Sequence, residues 1–186
     1  SETAKLLATD VVALSFGEVT DEELNKLGNY GVSKVLSASG VNKGDSQQTS
    51  NLFAENLADA SIIIFANSYA AKMIAPRLAI KLKVGIASNV ITVPSSTSPV
   101  TITRKAFSGK AIEKTVINSE KAILTLAPNA FGLVECGGNC SIEKINSTEN
   151  GMVTIEGKEV ASGKVSLTEA EIIVSGGRGL KGAENW

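Results

Sequence analysis

Four glycines, Gly176, Gly177, Gly179 and Gly182, surround Arg178 immediately after the strand-like run Glu171-Ile172-Ile173-Val174. Glycines at a strand end let the backbone turn tightly and bring its N–H groups close to a ligand. A guanidinium set among them offers a fixed, permanently charged fork to a phosphate or an electron-rich ring. In α/β proteins such strand ends are where cofactors bind. The run is not a Walker A loop, because Gly-Lys-Ser/Thr is absent. It is not the dinucleotide fingerprint either, because Gly177 and Gly179 lack a third glycine at the required spacing. Pattern alone leaves two compatible readings, ligand contact and flexible hinge. No helix or strand follows within the chain, so the other half of such a site is expected outside it.

The remaining chemistry is sparse. There is no histidine, which removes the commonest general base and metal ligand and excludes Ser-His and Cys-His nucleophile pairs within this chain. The two cysteines lie in Cys136-Gly137-Gly138-Asn139-Cys140. One thiol pair without a second ligand pair is a poor zinc site, so two small residues beside a glycine turn is the simpler reading and no metal is expected. Low cysteine use suits a reducing compartment. Asp21-Glu22-Glu23 reads as favourable charge at a helix N-terminus. Ser95-Ser96-Thr97-Ser98 reads as an ordinary loop, since no base accompanies it.

Those residues need a framework, and the chain is long enough to supply one. Its 186 residues are 43% hydrophobic and 20% charged, ordinary values for a globular domain. A net charge of −1, without a Lys/Arg cluster, gives no electrostatic case for nucleic acid. No apolar run approaches the roughly 20 residues that span a bilayer, so membrane insertion is not expected.

Strand-like and helix-like segments alternate through the first part. Asp10 to Phe16 is strand-like. Thr20 caps a helix to about Leu27, with Glu23 completing a capping box. Val32 to Ser37 is a second strand, and Asp45 or Ser46 starts a helix with Leu52, Phe53, Leu57 and Ala60 at helical spacing. Ser61-Ile62-Ile63-Ile64-Phe65-Ala66 is the clearest strand and suits the centre of a parallel sheet covered on both faces. Asn67 or Ser68 caps a helix from Tyr69 to Lys83, which Pro76 is expected to shift or kink. The order predicts an α/β domain with a mostly parallel sheet flanked by helices. The opening Glu2 to Ala8 looks like the end of a helix, so a strand is expected upstream of it.

From Ser88 the texture becomes β-rich. Val90–Val93, Val100–Phe107, Thr115–Ile117 and Lys121–Leu126 have hairpin-like spacing and predict an added antiparallel section. Residues 137–151 read as a Gly-, Asn- and Ser-rich surface loop around a short strand at Ser141–Ile145. Val153–Ile155 and Lys164–Leu167 are extended candidates. Arg104 reads as an interface or edge-strand charge, and Arg77 as a cation facing a partner or solvent.

Three stretches resemble one family. Val174-Ser175-Gly176-Gly177-Arg178-Gly179-Leu180-Lys181 is similar to the signature that opens the flavin domain of the electron transfer flavoprotein α subunit. Ala66-Asn67-Ser68 through Pro76-Arg77-Leu78-Ala79-Ile80-Lys81-Leu82 resembles that family's Leu-Pro-Arg helix. Ser88-Asn89-Val90-Ile91 and Arg104-Lys105-Ala106-Phe107-Ser108-Gly109-Lys110-Ala111 resemble the strands that follow it. The resemblance covers nearly the whole chain as the subunit's N-terminal domain.

It implies the following expectations. Residues 1–170 form an adenine-nucleotide-hydrolase-like α/β domain, and 171–186 a hinge leading into an FAD domain that lies outside the chain. The protein is an electron carrier, not an enzyme. It pairs with a β subunit and passes electrons from acyl-CoA-type dehydrogenases, as in fatty acid β-oxidation, toward a membrane quinone oxidoreductase. Arg178, Gly177 and Gly179 contact FAD in the full-length protein, where a fixed cation favours the anionic reduced flavin. The 186 residues alone are expected to hold no FAD and to be colourless. The compartment is bacterial cytoplasm or mitochondrial matrix. A stand-alone adenine-nucleotide-binding module, using the strand ends after Phe16, Ser37 and Ala66, is the alternative.

Overall fold

The computed structural model describes residues 2–42, 44–147, 151–157, 167, 170 and 172–185. Residues Ser1–Ile155 form one unit and Glu156–Trp186 a second.

In the first unit, α1 (Glu2–Leu7) leads to β1 (Val12–Phe16), α2 (Asp21–Asn25) and a 3-10 turn (Lys26–Tyr30). Then come β2 (Lys34–Ser39), α3 (Ser46–Asn56), β3 (Ile62–Ala66), α4 (Tyr69–Leu82) and β4 (Gly85–Val90). The β-rich stretch supplies β5 (Ser96–Thr97), β6 (Val100–Ala106), β7 (Ala111–Ile117), β8 (Ala122–Leu126) and β9 (Ser141–Asn146). The helices start where local chemistry allows. Thr20 accepts from the Glu23 N–H, Asp45 from those of Gln47 and Gln48, and Ser68 from that of Ala71. Of the two candidates for the α4 cap, Ser68 is therefore the one used.

The strands form two sheets among the described residues. One is wholly parallel, ordered β1-β2-β9. The other runs β3-β8-β4-β6-β5, with β7 also on β6; β3, β8 and β4 are parallel and β4, β5, β6 and β7 antiparallel. The expected mixture of a parallel α/β core and an antiparallel addition is present.

β8 is an inner strand of the second sheet, between β3 and β4. Alternate side chains of a strand face opposite ways. Ile123 accordingly joins Phe53, Ile63, Ile74 and Leu78 in the core under α3 and α4, while Ala122 and Leu124 join Val90, Val100 and Ile102 in the core on the other face.

Several expectations are corrected. β3 is an end strand of its sheet, not the centre, and Ile64 is 43% exposed. Its β-branched run suits full cover, but β8 takes the covered place. The Lys121–Leu126 segment thus supplies an inner parallel strand, Ala122–Leu126, and not part of a hairpin series. The strand expected at Val90–Val93 lies at Gly85–Val90, because a bulge between Ala87 and Val90 carries polar Ser88 and Asn89 within the strand. Arg104 is internal, opposite Val90 on one side and Glu113 on the other, so the edge-strand reading fails. Ser96–Thr97 within the expected serine loop pairs briefly with Val100–Thr101. α4 runs unbroken through Pro76, which lies on its exposed side.

The strand at Ser141–Ile145 is present, and it pairs in parallel with β2. Val153–Ile155 carries no strand pairing. In the second unit, Ile172–Val174 are exposed and unpaired among the described residues, so the expected strand there is not formed; Glu171 lies outside the described residues. Of the Lys164–Leu167 candidate, only Leu167 lies within them.

Candidate functional site

The C-terminal ends of β3, β4 and β8 meet the first two turns of α4 in a crevice of about 420 Å³. Strands of a parallel sheet all point their ends the same way, so polar residues following apolar runs collect there. Asn67 follows β3, Asn89 sits in the β4 bulge, and Thr125 lies near the end of β8.

These three form a hydrogen-bonded ring. The Asn89 N–H donates to Thr125 Oγ1 at 3.2 Å, the Thr125 hydroxyl donates to Asn67 Oδ1 at 3.3 Å, and Asn67 Nδ2 donates to Asn89 Oδ1 at 3.5 Å. Asn89 Nδ2 also donates to the Lys105 carbonyl at 3.3 Å. Asn89 adopts a left-handed φ of 62°, which asparagine tolerates better than most side chains. Bulges commonly re-aim a side chain beside a binding surface.

The crevice rim adds charge. Arg104 Nη1 donates to Ser88 Oγ at 3.4 Å, and its Nε lies 3.5 Å from Glu113 Oε2, a coulombic contact without an aligned hydrogen bond. Lys72 lines the helix side beside Pro76. Pro76 has no N–H, so the carbonyl four residues earlier, that of Lys72, is released from the helix ladder. The crevice thus offers amides, hydroxyls and a free carbonyl, but no nucleophile paired with a base. Its chemistry is hydrogen bonding and counter-charge.

The residues singled out from sequence lie in the second unit. Arg178 opens a 3-10 turn to Leu180, closed by the Leu180 N–H donating to the Gly177 carbonyl at 3.0 Å. Gly177, Arg178 and Gly179 are all exposed. Neither glycine has positive φ, and a Cβ on either would meet nothing within 4 Å. The guanidinium side chain is carried on an exposed turn with open space around both flanking glycines. Among the described residues they do not form an enclosing pocket.

Cys136 is exposed and Cys140 half-buried, with the Cys140 thiol 3.4 Å from the Leu24 carbonyl. No group of three or more metal-capable side chains occurs among the described residues. Arg77 points to solvent on α4. Asp21 and its neighbours occupy the first turn of α2, and Asp21 pairs with Lys144 at 3.0 Å. Of the alternative strand ends, the one after Ala66 brings Asn67 into the crevice, the Phe16 ring packs on Phe53, and β2 continues past Ser37 to Ser39.

Sequence reading missed the Asn67–Asn89–Thr125 ring. Asn67 reads as a helix cap and Asn89 as a strand residue. The available signal was their common position just beyond apolar strand runs.

Asp45 is the one buried carboxylate among the described residues. Its Oδ1 accepts from Gln47 and Gln48 at 3.0 and 2.9 Å, and its Oδ2 from Met152 and Val153 at 2.8 and 3.2 Å. The Gln48 N–H hydrogen bond, with those of Met152, Val153 and Gln47, holds its pKa below the usual aspartate value against the opposing effect of burial. This group fixes structure and leaves no lone pair aimed at a ligand.

Comparison with known proteins bears on all of this. A family model described as electron transfer flavoprotein domain matches residues 1–153. The electron transfer flavoprotein subunit alpha of Bacillus subtilis is 31% identical over 188 residues, covering 95% of this chain and 57% of the relative. The subunit alpha of Syntrophomonas wolfei is 28% identical over 97% of this chain and 60% of its own length. That of Bradyrhizobium diazoefficiens is 34% identical over 72% of this chain and 45% of its own length. The chain thus spans somewhat over half the length of the first two relatives.

Proposed function

The chain belongs to the electron transfer flavoprotein family, on its α-subunit side, and from that premise we propose that it is the scaffold part of an electron carrier. In this reading residues 1–170 form the α/β domain that pairs with a β subunit, and 171–186 lead into an FAD-bearing domain. The assembled carrier takes electrons from acyl-CoA-type dehydrogenases and delivers them toward the respiratory chain.

The observation that carries the reading is the family match across residues 1–153. A scaffold needs hydrogen-bonding surface and a rigid core, which the crevice and the two apolar clusters supply. Arg178, flanked by Gly177 and Gly179, is exposed and free to reach a cofactor held mainly by other residues. When bound, FAD supplies the one- and two-electron chemistry. Arg178 would contribute a permanent positive charge beside it, favouring the anionic reduced flavin. A soluble compartment such as bacterial cytoplasm or mitochondrial matrix suits this role, and no helix among the described residues is long and apolar enough to cross a membrane.

Mixing the chain with a family β subunit at micromolar concentration is expected to give a 1:1 complex in gel filtration. Separate elution of the two would overturn the scaffold role. For the cofactor contact, Arg178→Ala in an α subunit extended through its flavin domain is expected to lower the flavin potential, with Arg178→Lys partly restoring it.

The polar crevice after Ala66 favours a second reading, a stand-alone adenine-nucleotide-binding module. Saturable heat on titrating the chain with AMP or ATP would support it over the scaffold role.

A further inference from the structure

Cys136 and Cys140 are the only cysteines of the chain, and both are free thiols. The main chain between them turns back through Gly137 and Gly138, at φ of 63° and 154°, values that favour glycine. Residues 136–140 arch over the 3-10 turn Lys26–Tyr30. On one side the N–H groups of Cys136 and Gly137 donate to the Asn29 carbonyl at 2.9 and 3.2 Å. On the other the Cys140 thiol donates to the Leu24 carbonyl at 3.4 Å and lies 3.7 Å from that of Asn25. Between these anchors, a Cβ on Gly138 would meet the Gly28 carbonyl oxygen at 3.1 Å.

The two thiols are unequally available. Cys140 is half-buried and engaged with the turn. Cys136 is exposed, makes a long 3.9 Å contact with the Val134 carbonyl, and borders a cavity of about 500 Å³. That volume lies within the range of small-molecule sites, roughly 300–1,000 Å³. The cavity wall carries opposite charges, Lys5 from α1 and Asp10 just ahead of β1. The Lys5 ammonium is favoured first by its hydrogen bond to Glu2 at 2.7 Å and, more weakly, by Cys136, so amine and sulfur face each other. A cation and a carboxylate beside a thiol complement the carboxylate and ammonium groups of an amino-acid-type ligand.

We propose that Cys136 is a thiol–disulfide exchange site for small zwitterionic disulfides, with Cys140 as its resolving thiol. The Cys136 thiolate attacks one sulfur of the small molecule. A new S–S bond forms, the original one breaks, and the other half leaves as a thiolate that takes up the proton Cys136 released. Cys140 then gives up its hydrogen bond to Leu24, loses its proton and attacks Cys136 Sγ. The Cys136–Cys140 bond forms and the second half leaves as a thiol. The cysteine pair loses two electrons and the small disulfide gains them. Exposure sets the order, because exchange requires access to the attacking sulfur. Thiols reverse the product, which suits a transient modification in a reducing compartment. The oxidised form also loses the Cys140 anchor on the turn. This inference rests on the loop and the cavity, not on the proposed electron-carrying role.

The test treats the 186-residue chain with oxidised glutathione and follows intact mass with time. Wild type is expected to gain one glutathione adduct and then shed it, ending two hydrogens lighter than it began. Cys140→Ser should stop at the adduct, with the modified peptide containing Cys136. Cys136→Ser should react about tenfold more slowly or less, because its remaining thiol is half-buried. Lys5→Gln should slow the reaction with oxidised glutathione several-fold and leave that with neutral 2-hydroxyethyl disulfide unchanged. Amide exchange across residues 24–30 should quicken in the oxidised wild type. Equal rates for wild type and Cys136→Ser would overturn the assignment of the entry thiol. A wild-type adduct that never resolves would overturn the pairing with Cys140, and unchanged exchange at 24–30 the release of its anchor. The same effect of Lys5→Gln on both disulfides would overturn the cavity's part in recognition.

Discussion

β8 and β1 are both five-residue, largely apolar, parallel strands, yet their surroundings are opposite. Four of the five β8 residues, Ala122 to Thr125, are buried, and none of β1 is. Among the described residues β8 has a strand on each edge, and β1 on one only. Burial in a parallel sheet therefore follows from neighbours and not from the strand's own composition. The consequence reaches beyond the two strands. The sheet around β8 is held by close apolar packing on both faces. The sheet around β1, β2 and β9 buries Val35, Leu36 and Ala38 of β2 and adds polar latches and a close backbone approach at its margins.

Core truncations should expose this contrast most sharply. Leu124 is 1% exposed in β8, so Leu124→Ala removes packed atoms and leaves a cavity. Its expected cost is about 2–5 kcal/mol in chemical unfolding. Ile64→Ala, on the half-open β3, is expected to cost about 1 kcal/mol, because much of that side chain already meets water. Equal costs would mean that the β3 edge is covered in solution and would break the comparison.

The polar margin is the next place to press. Asp45→Asn keeps an oxygen for the α3 cap but turns an amide donor toward the Met152 and Val153 N–H groups. Loss of a charged, buried acceptor predicts about 2–3 kcal/mol of destabilisation. The pH dependence has a definite sign. A carboxylate whose folded-state pKa is depressed contributes its stabilisation above the ordinary aspartate value, and loses it as pH falls through the lower folded value. Wild-type stability should thus fall more steeply than that of Asp45→Asn as pH drops below about 4. Parallel curves would remove Asp45 as the latch.

Gly28 tests backbone closeness in the same half. A Cβ there would lie 2.8 Å from the Asn139 carbonyl carbon and the Cys140 nitrogen, both main-chain atoms that cannot swing aside. Gly28→Ala should cost about 1–3 kcal/mol, with the loss of amide protection centred on residues 136–141. An unchanged midpoint would show that this segment is not pressed against the 3-10 turn in solution.

The contrast also explains what was legible from sequence. The caps at Thr20, Asp45 and Ser68 depend on residues two or three positions apart, so local chemistry is enough. The pairing of Ser141–Asn146 with β2 joins segments about a hundred residues apart, and nothing in either segment names the other. The same holds for β8, which slides between β3 and β4 although three other strands separate it from β4 in the chain. β3 has the composition of a central strand, so reading it as one was sound about preference and wrong about neighbours. In the site, the resemblance led to Gly177, Arg178 and Gly179, whose exposed turn gives no structural sign of a ligand. The Asn67–Asn89–Thr125 ring stayed hidden because it forms only when three separate strand ends meet.

The smallest expected effect is at the surface of the β1–β2–β9 sheet. Lys34 pairs with Glu143 at 2.5 Å and Lys144 with Asp21 at 3.0 Å, and all four side chains are more than 40% exposed. Exposed pairs gain little Coulomb energy in water and lose side-chain freedom, so each is expected to contribute about 0.2–1 kcal/mol. Salt at about 1 M shortens the screening length to roughly 3 Å and should erase most of that. Lys144→Ala and Glu143→Ala should therefore differ from wild type by less than about 1 kcal/mol at low salt, and the difference should shrink in 1 M NaCl. A larger, salt-resistant loss would mean that these charges are desolvated in solution. That would place cover over a sheet whose β1 strand carries no buried residue, and the contrast with β8 would have to be redrawn.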